Sequence, residues 1–157
     1  MANVSPFPDG YQRVTPYLIV DGAAAAIDFY TGILGGTERM RMPAPDGKVG
    51  HAEVLFGESV VMLADEFPDI GALSPKTIGG TGAFLNLYVD DVDSVYERAL
   101  AAGATGLREV EDKFYGDRSG DIQDPFGHRW SLSTHVEDVS PEEMQRRMAE
   151  LAAGEQS

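Results

Sequence analysis

Gly116–Leu132 reads GDRSGDIQDPFGHRWSL, two strand-like runs joined by a tight turn. Asp124-Pro125-Phe126-Gly127 is a turn in which each residue has a physical task. The Asp side chain accepts a hydrogen bond from the backbone two residues on, Pro pre-sets φ, and Gly takes a positive φ without steric cost. After the turn, Trp130 and Leu132 alternate with Arg129, Ser131 and Ser133, which is the period of a strand buried on one face. The stretch therefore predicts a long hairpin with one buried and one open face.

Working outward, the first half predicts a strand over 14–20 ending at Asp21, which is placed to cap the helix that follows. In that helix, AAAAIDFYTGIL, Ile27, Tyr30, Ile33 and Leu34 recur at helical spacing, and Gly35-Gly36 stops it. Strands are expected over 37–42, 49–56 and 60–64, separated by Pro/Gly/Asp turns. The pattern then restarts. Strand 84–89 leads through Asp90-Asp91 into a helix over 92–102 closed by Gly103, and strands follow at 106–110, 115–123 and 129–133. YLIVDGAAAAIDFYTGILGGT and LNLYVDDVDSVYERALAAGAT share hydrophobic spacing, a Val-Asp step and a glycine-terminated helix about 70 residues apart, so one supersecondary unit is repeated. The expected fold class is α+β, with tandem βαβββ modules at 13–66 and 83–135. Residues 1–12 read as a loosely held arm, 67–82 as a connector rich in Pro, Gly and Ser, and 136–157 as a helical tail. Neither half has enough apolar surface to stand alone, so the two sheets are expected to share a cup. In the tail, Ser140-Pro141-Glu142-Glu143 has the form of a capping box, and Met144, Met148 and Leu151 form a stripe expected to pack on its own domain or on a second copy.

The Gly-x-Arg stretch, the Asp-Pro-x-Gly turn, the alternating strand after it and the tandem βαβββ repeat together resemble the vicinal oxygen chelate superfamily. That superfamily includes glyoxalase I, the bleomycin-resistance proteins and the extradiol dioxygenases. Ile27-Asp28-Phe29-Tyr30 and His51-Ala52-Glu53-Val54 look most like its PhnB-like and bleomycin-resistance-like branches. The resemblance implies a homodimer and, in metal-dependent members, four inward-pointing His or Glu ligands, two from each half. Carried over from the Val-Asp steps and the turn, those positions fall on Thr15, Met62, Phe84 and Ser131. Thr, Met, Phe and Ser lack the imidazole or carboxylate that an ordinary divalent site needs. No metal and no other cofactor is therefore expected.

Composition narrows the partners. With 12 basic against 26 acidic side chains the net charge is −14, which disfavours a nucleic-acid backbone or an anionic membrane surface. There is no Cys for a disulfide framework or thiolate chemistry. No basic-then-apolar leader opens the chain and no apolar run approaches the roughly 20 residues of a membrane span, so a cytoplasmic protein is expected. By strand parity Thr15, Tyr17, Met62, Phe84, Asn86 and Ser131 face the cup, with Tyr115 nearby. Such a mixture suits a pocket for a small hydrophobic or aromatic molecule, or a cup filled by its own side chains. His51 and Glu53 share one face of their strand, as a two-ligand site, an acid–base pair, or a His bonded to its neighbour strand with Glu53 near solvent. Arg118 either clamps an anionic ligand or braces the wall through a carboxylate. The function expected is a metal-free binding protein of the bleomycin-resistance type that sequesters such a molecule, with Arg118, Asn86 and His51 orienting it. The alternatives are a glyoxalase-type lyase or isomerase with a displaced metal, a proton-transfer enzyme using His51 and Glu53, and a regulatory domain without a ligand.

Overall fold

The computed structural model describes residues 4–154 of the 157-residue chain. Its first unit comprises the residues up to Ala83 together with Asp124–His128; its second comprises Phe84–Gln123 and the residues from Arg129 onward.

In the first unit, β1 (Tyr17–Val20) leads to α1 (Ala23–Gly32), β2 (Thr37–Pro43), β3 (Val49–Phe56) and β4 (Ser59–Asp65). The sheet order is β1-β4-β3-β2, with β1 and β4 parallel and the other pairs antiparallel. Leu18, Val20, Ala52, Val54, Val61 and Leu63 alternate along their strands as the buried face, and α1 contributes Ala26, Ile27, Phe29 and Tyr30. The helix start departs from expectation. Gly22, not Asp21, is the N-cap, and it has no side chain with which to cap the helix. The free N–H groups of Gly22 and Ala23 donate instead to Asp65 Oδ1 at 2.9 and 2.8 Å, while Asp65 Oδ2 accepts from Val49 N–H at 2.8 Å. A carboxylate from β4 thus meets the need of the exposed N-terminal donors.

The arm is less loose than its composition predicts. Gln12 donates to the Val60 carbonyl at 2.6 Å and accepts from Val60 N–H at 3.1 Å, extending the sheet with a side-chain amide. The connector also holds structure: a 3₁₀ turn at Pro68–Ile70 and a short helix, α2 (Pro75–Ile78), capped by Ser74, which accepts from Thr77 N–H.

The second unit repeats the plan with β5 (Phe84–Tyr88), α3 (Val92–Ala101), β6 (Thr105–Asp112), β7 (Asp117–Gln123) and β8 (Arg129–His135), in the order β5-β8-β7-β6. Asp91 caps α3 by accepting from Ser94 N–H at 3.2 Å. The tail forms α4 (Pro141–Gly154), with Ser140 accepting from Glu143 N–H at 3.2 Å. The reciprocal half of the capping box is not used, because Arg146 and Arg147 take the Glu143 carboxylate. Met148 and Leu151 remain about half exposed, so the stripe is not covered by its own unit. Among the described residues no helix is long and apolar enough to cross a membrane.

The repeat extends to an irregularity. On β2, Glu38 faces Val54 and Met40 faces Glu53, leaving Arg39 as an extra residue. On β6, Gly106 faces Ile122 and Arg108 faces Asp121, leaving Leu107 at the matching place. Such bulges bend an edge strand and re-aim its side chains.

The Asp124–Gly127 turn is built as the sequence predicts. Asp124 Oδ1 accepts from the N–H groups of Phe126 and His128, each at 2.9 Å, and Gly127 has φ 93°. Asp124 is buried, and its Oδ2 accepts from the Tyr30 hydroxyl at 2.7 Å. Phe126 joins Phe29 and Tyr30 in an edge-to-face cluster with centroids 6.1–6.4 Å apart. Tyr30→Phe removes one donor from a buried carboxylate and is expected to cost about 1–3 kcal/mol with an unchanged denaturant slope. Urea unfolding checks this, and a loss within error of zero would show that the hydroxyl is not an anchor.

Candidate functional site

On the face of the first sheet away from α1, the pairing register sets Tyr17, Met62, Glu53 and Met40 in one row. Glu53 is 2 % exposed yet charged, so its partners decide what the site can do. The Tyr11 hydroxyl reaches both carboxylate oxygens at 2.8 and 3.1 Å. His51 Nε2 lies 3.2 Å from Oε1, and Arg39 Nε lies 3.5 Å from Oε2. Arg39 is the bulge residue, which explains how it reaches the same face as its neighbour Met40. It also stacks on the Tyr11 ring at 4.5 Å and donates to the Gly10 carbonyl. Burial alone would push the Glu53 carboxyl up. The hydrogen bonds from His51 and Tyr11 and the charge of Arg39 outweigh it and hold the carboxyl below its ordinary value.

The other imidazole nitrogen of His51, Nδ1, is 2.8 Å from the Tyr17 hydroxyl, and the two rings are 5.4 Å apart. The result is a continuous chain, Tyr17–His51–Glu53, starting at a half-exposed phenol and ending at a buried carboxylate. Burial, followed by the nearby charge of Glu53, raises the Tyr17 phenol above its usual range, so it stays protonated at neutral pH. His51 and Glu53 therefore do share a face, but Glu53 is deeply enclosed and not near solvent at an edge.

Tyr17 also borders a concavity of about 610 Å³ within the first unit. Its walls include Ile19, Ala64, Phe67 and Ile70, with Asp46, Lys48 and Asp69 on its rim. The volume falls in the range of small-molecule pockets. Asp65, on the same wall, is fully engaged by the three backbone donors described above.

The remaining residues expected at a site are placed as follows. Thr15 precedes β1 and donates to the Gln12 carbonyl at 3.3 Å. Met62 sits between Tyr17 and Glu53. In the second unit Asn86, Ser131, Asp121 and Arg108 form the row equivalent to that of Tyr17. Phe84 lies on the same face, half exposed. Tyr115, also half exposed, packs edge-on against Phe114 at 5.2 Å. Arg118 lies on the opposite face, toward α3, where Asp93 takes its Nε and Nη2, each at 2.7 Å, and Asp112 takes Nη1 at 3.0 Å. Of the two roles open to Arg118, bracing is the one the geometry supports. With two carboxylates on its guanidinium it is not free to orient a ligand beside Asn86.

A second carboxylate-centred network lies on the open face of the second sheet. Buried Asp117 accepts from the Tyr88 hydroxyl at 2.6 Å and pairs with His135 Nδ1 at 2.7 Å, while His135 Nε2 meets Asp138 at 2.9 Å. The bonds to Asp117 and then Asp138 raise the His135 imidazole above its ordinary value.

The residues at the positions that the resemblance assigns to a metal do not have the donors of an ordinary divalent site. Thr15, Met62, Phe84 and Ser131 offer two hydroxyls, a thioether and a ring. Among the described residues, no group of three or more His, Asp or Glu side chains is arranged to hold one. Sequence reading missed Tyr11, Arg39 and Asp121. Tyr11 was hidden in the arm, and Arg39 reaches Glu53 only through a bulge that strand parity does not reveal.

Because the folded Glu53 carboxyl lies below its ordinary value of 4.5, its network stabilises the protein above that pH. The stabilisation is lost as pH falls through the lower folded value. A carbon-13 titration of the Glu53 carboxyl is expected to show a midpoint below 4.5, moving upward in Tyr11→Phe. A midpoint at or above 4.5 would contradict the arrangement.

Comparison with known proteins agrees with this architecture. Residues 11–132 match the model of the Glyoxalase/Bleomycin resistance protein/Dioxygenase superfamily. An uncharacterized protein of Mycobacterium bovis, Mb0911c, is 42% identical over 144 residues, covering 90% of this chain and 95% of that protein. Protein PA1353 from Pseudomonas aeruginosa superposes with a TM-score of 0.63 at 25% identity, covering 80% of this chain and 99% of that one. A PhnB protein from Bacillus cereus shares the fold, with a TM-score of 0.61 at 18% identity over 78% of this chain and 99% of that one. The chain belongs to the Glyoxalase/Bleomycin resistance protein/Dioxygenase superfamily.

Proposed function

We propose that this protein binds a small, largely apolar and aromatic molecule on the open face of its first sheet, without a divalent metal at the superfamily's usual positions. The observation that carries this reading is the concavity of about 610 Å³ walled by Tyr17, Ile19, Ala64, Phe67 and Ile70. Phe67 and Ile70 are 53 % and 74 % exposed, so their apolar surface is already presented to an occupant. Burying a ring against these walls gains about 25 cal/mol for each Å² of apolar area removed from water. Sequestration of a hydrophobic compound, as in antibiotic resistance, is the use this chemistry suits.

Proton transfer by His51 and Glu53 is the second reading, favoured by the continuous Tyr17–His51–Glu53 chain. Binding ranks first because both imidazole nitrogens of His51 are engaged, Nε2 with Glu53 and Nδ1 with the Tyr17 hydroxyl, which leaves neither open to a substrate. Glu53, held below its ordinary value, is not itself a proton donor near neutral pH.

The neutral dye N-phenyl-1-naphthylamine reports apolar pockets through its fluorescence. We expect a saturable rise with the wild-type protein and a roughly tenfold weaker affinity in the double variant Phe67→Ala, Ile70→Ala. Both side chains are largely exposed, so the fold tolerates the change. No saturable signal, or equal affinity in the variant, would remove the pocket from the account.

A further inference from the structure

The proton inventory along the chain at Tyr17 sets what kind of group an occupant must present. Glu53 is an acceptor only: the Tyr11 hydroxyl, His51 Nε2 and Arg39 all converge on its two oxygens. His51 must therefore turn an N–H toward Glu53 from Nε2. A neutral imidazole has only one such proton, so Nδ1 is left as an acceptor. The group 2.8 Å from Nδ1 is the Tyr17 hydroxyl, and its hydrogen is committed there. The Tyr17 oxygen is left with lone pairs and no free proton, on a residue that borders the pocket.

The rim repeats the same polarity. Asp46 and Asp69 have no hydrogen bond or ion pair with other described residues, and Lys48 is the single cation on the lining. Asp46 has a left-handed backbone conformation, at φ 60°.

We infer that the pocket of the first unit selects an amphipathic ligand whose head group donates a hydrogen bond to the Tyr17 oxygen, a primary ammonium best, and that His51 imposes this selection by holding the Tyr17 hydrogen. The inference rests on the binding reading above and adds the class of ligand. An acceptor-only head, such as an ether, faces the Tyr17 lone pairs with nothing to offer and leaves water-seeking groups unmatched. A donor head completes the row from Glu53 outward. An ammonium is favoured further by the two rim carboxylates. His51 acts here as a positioning residue, because it reaches the ligand only through Tyr17.

Three probes with one body separate the terms: 4-phenylbutylamine, 4-phenylbutan-1-ol and its methyl ether, titrated by calorimetry at pH 8.5, where imidazoles are ordinarily neutral. The expected order is amine, then alcohol, then ether, with the alcohol about tenfold tighter than the ether. In Tyr17→Phe the alcohol and ether are expected to converge. In His51→Ala the Tyr17 hydrogen is released, so the ether gains while the alcohol changes little, and their ratio falls toward one. A merely structural role for His51 would weaken both alike. Equal wild-type binding of alcohol and ether, or a ratio unaltered in His51→Ala, would overturn the inference while leaving the pocket standing. Failure of all three probes to bind would overturn the pocket reading itself, and the inference with it.

Discussion

The turn at Asp124 is the constraint from which the local architecture follows. A carboxylate buried without partners costs several kcal/mol, so a chain that buries one must bring donors to it. Here the donors are the N–H groups of Phe126 and His128 and the hydroxyl of Tyr30 on α1. Satisfying Asp124 fixes the bend between β7 and β8, places Phe126 against Phe29 and Tyr30, and sets His128 Nε2 on the Ile19 carbonyl at 2.9 Å. Ile19 lies on β1, two residues beyond Tyr17. The turn thus also steadies the strand that carries the candidate site.

The same device recurs. Asp65 caps α1 from another strand, Glu53 gathers Tyr11, His51 and Arg39, and Asp117 gathers Tyr88 and His135. Asp121, in the row equivalent to that of Glu53, is paired with Arg108. Glu53, Asp117 and Asp121 are buried carboxylates on the open faces of the sheets, and each is met by at least one donor from another strand or from the arm. The Glu53 network is joined through a half-exposed phenol to a pocket, and that join is why the binding role is proposed for the first unit.

Much of the fold was legible because it rests on short-range rules. The Asp-Pro-Phe-Gly turn, the glycine-stopped helices and the period-2 strands each follow from local chemistry, and the repeat multiplies their weight. The departures all involve partners distant in sequence. Asp21 has the right residue type for a cap, yet Asp65 takes the task from another strand. Arg118 looks available beside the hairpin until α3 brings Asp93 to it. His51 and Glu53 were visible as a pair by parity, but their meaning depends on Tyr11, in a segment that reads as a loose arm. Arg39 depends on a bulge that shifts parity by one.

The decisive question is where a ligand sits. Backbone amide NMR of the labelled protein, titrated with 4-phenylbutylamine, tests this directly. Shifts are expected to cluster at Tyr17, Ile19, residues 46–50 and residues 64–72, with His51 following Tyr17. Shifts centred instead on residues 84–88 and 129–133 would move the site to the open face of the second sheet and contradict the central claim.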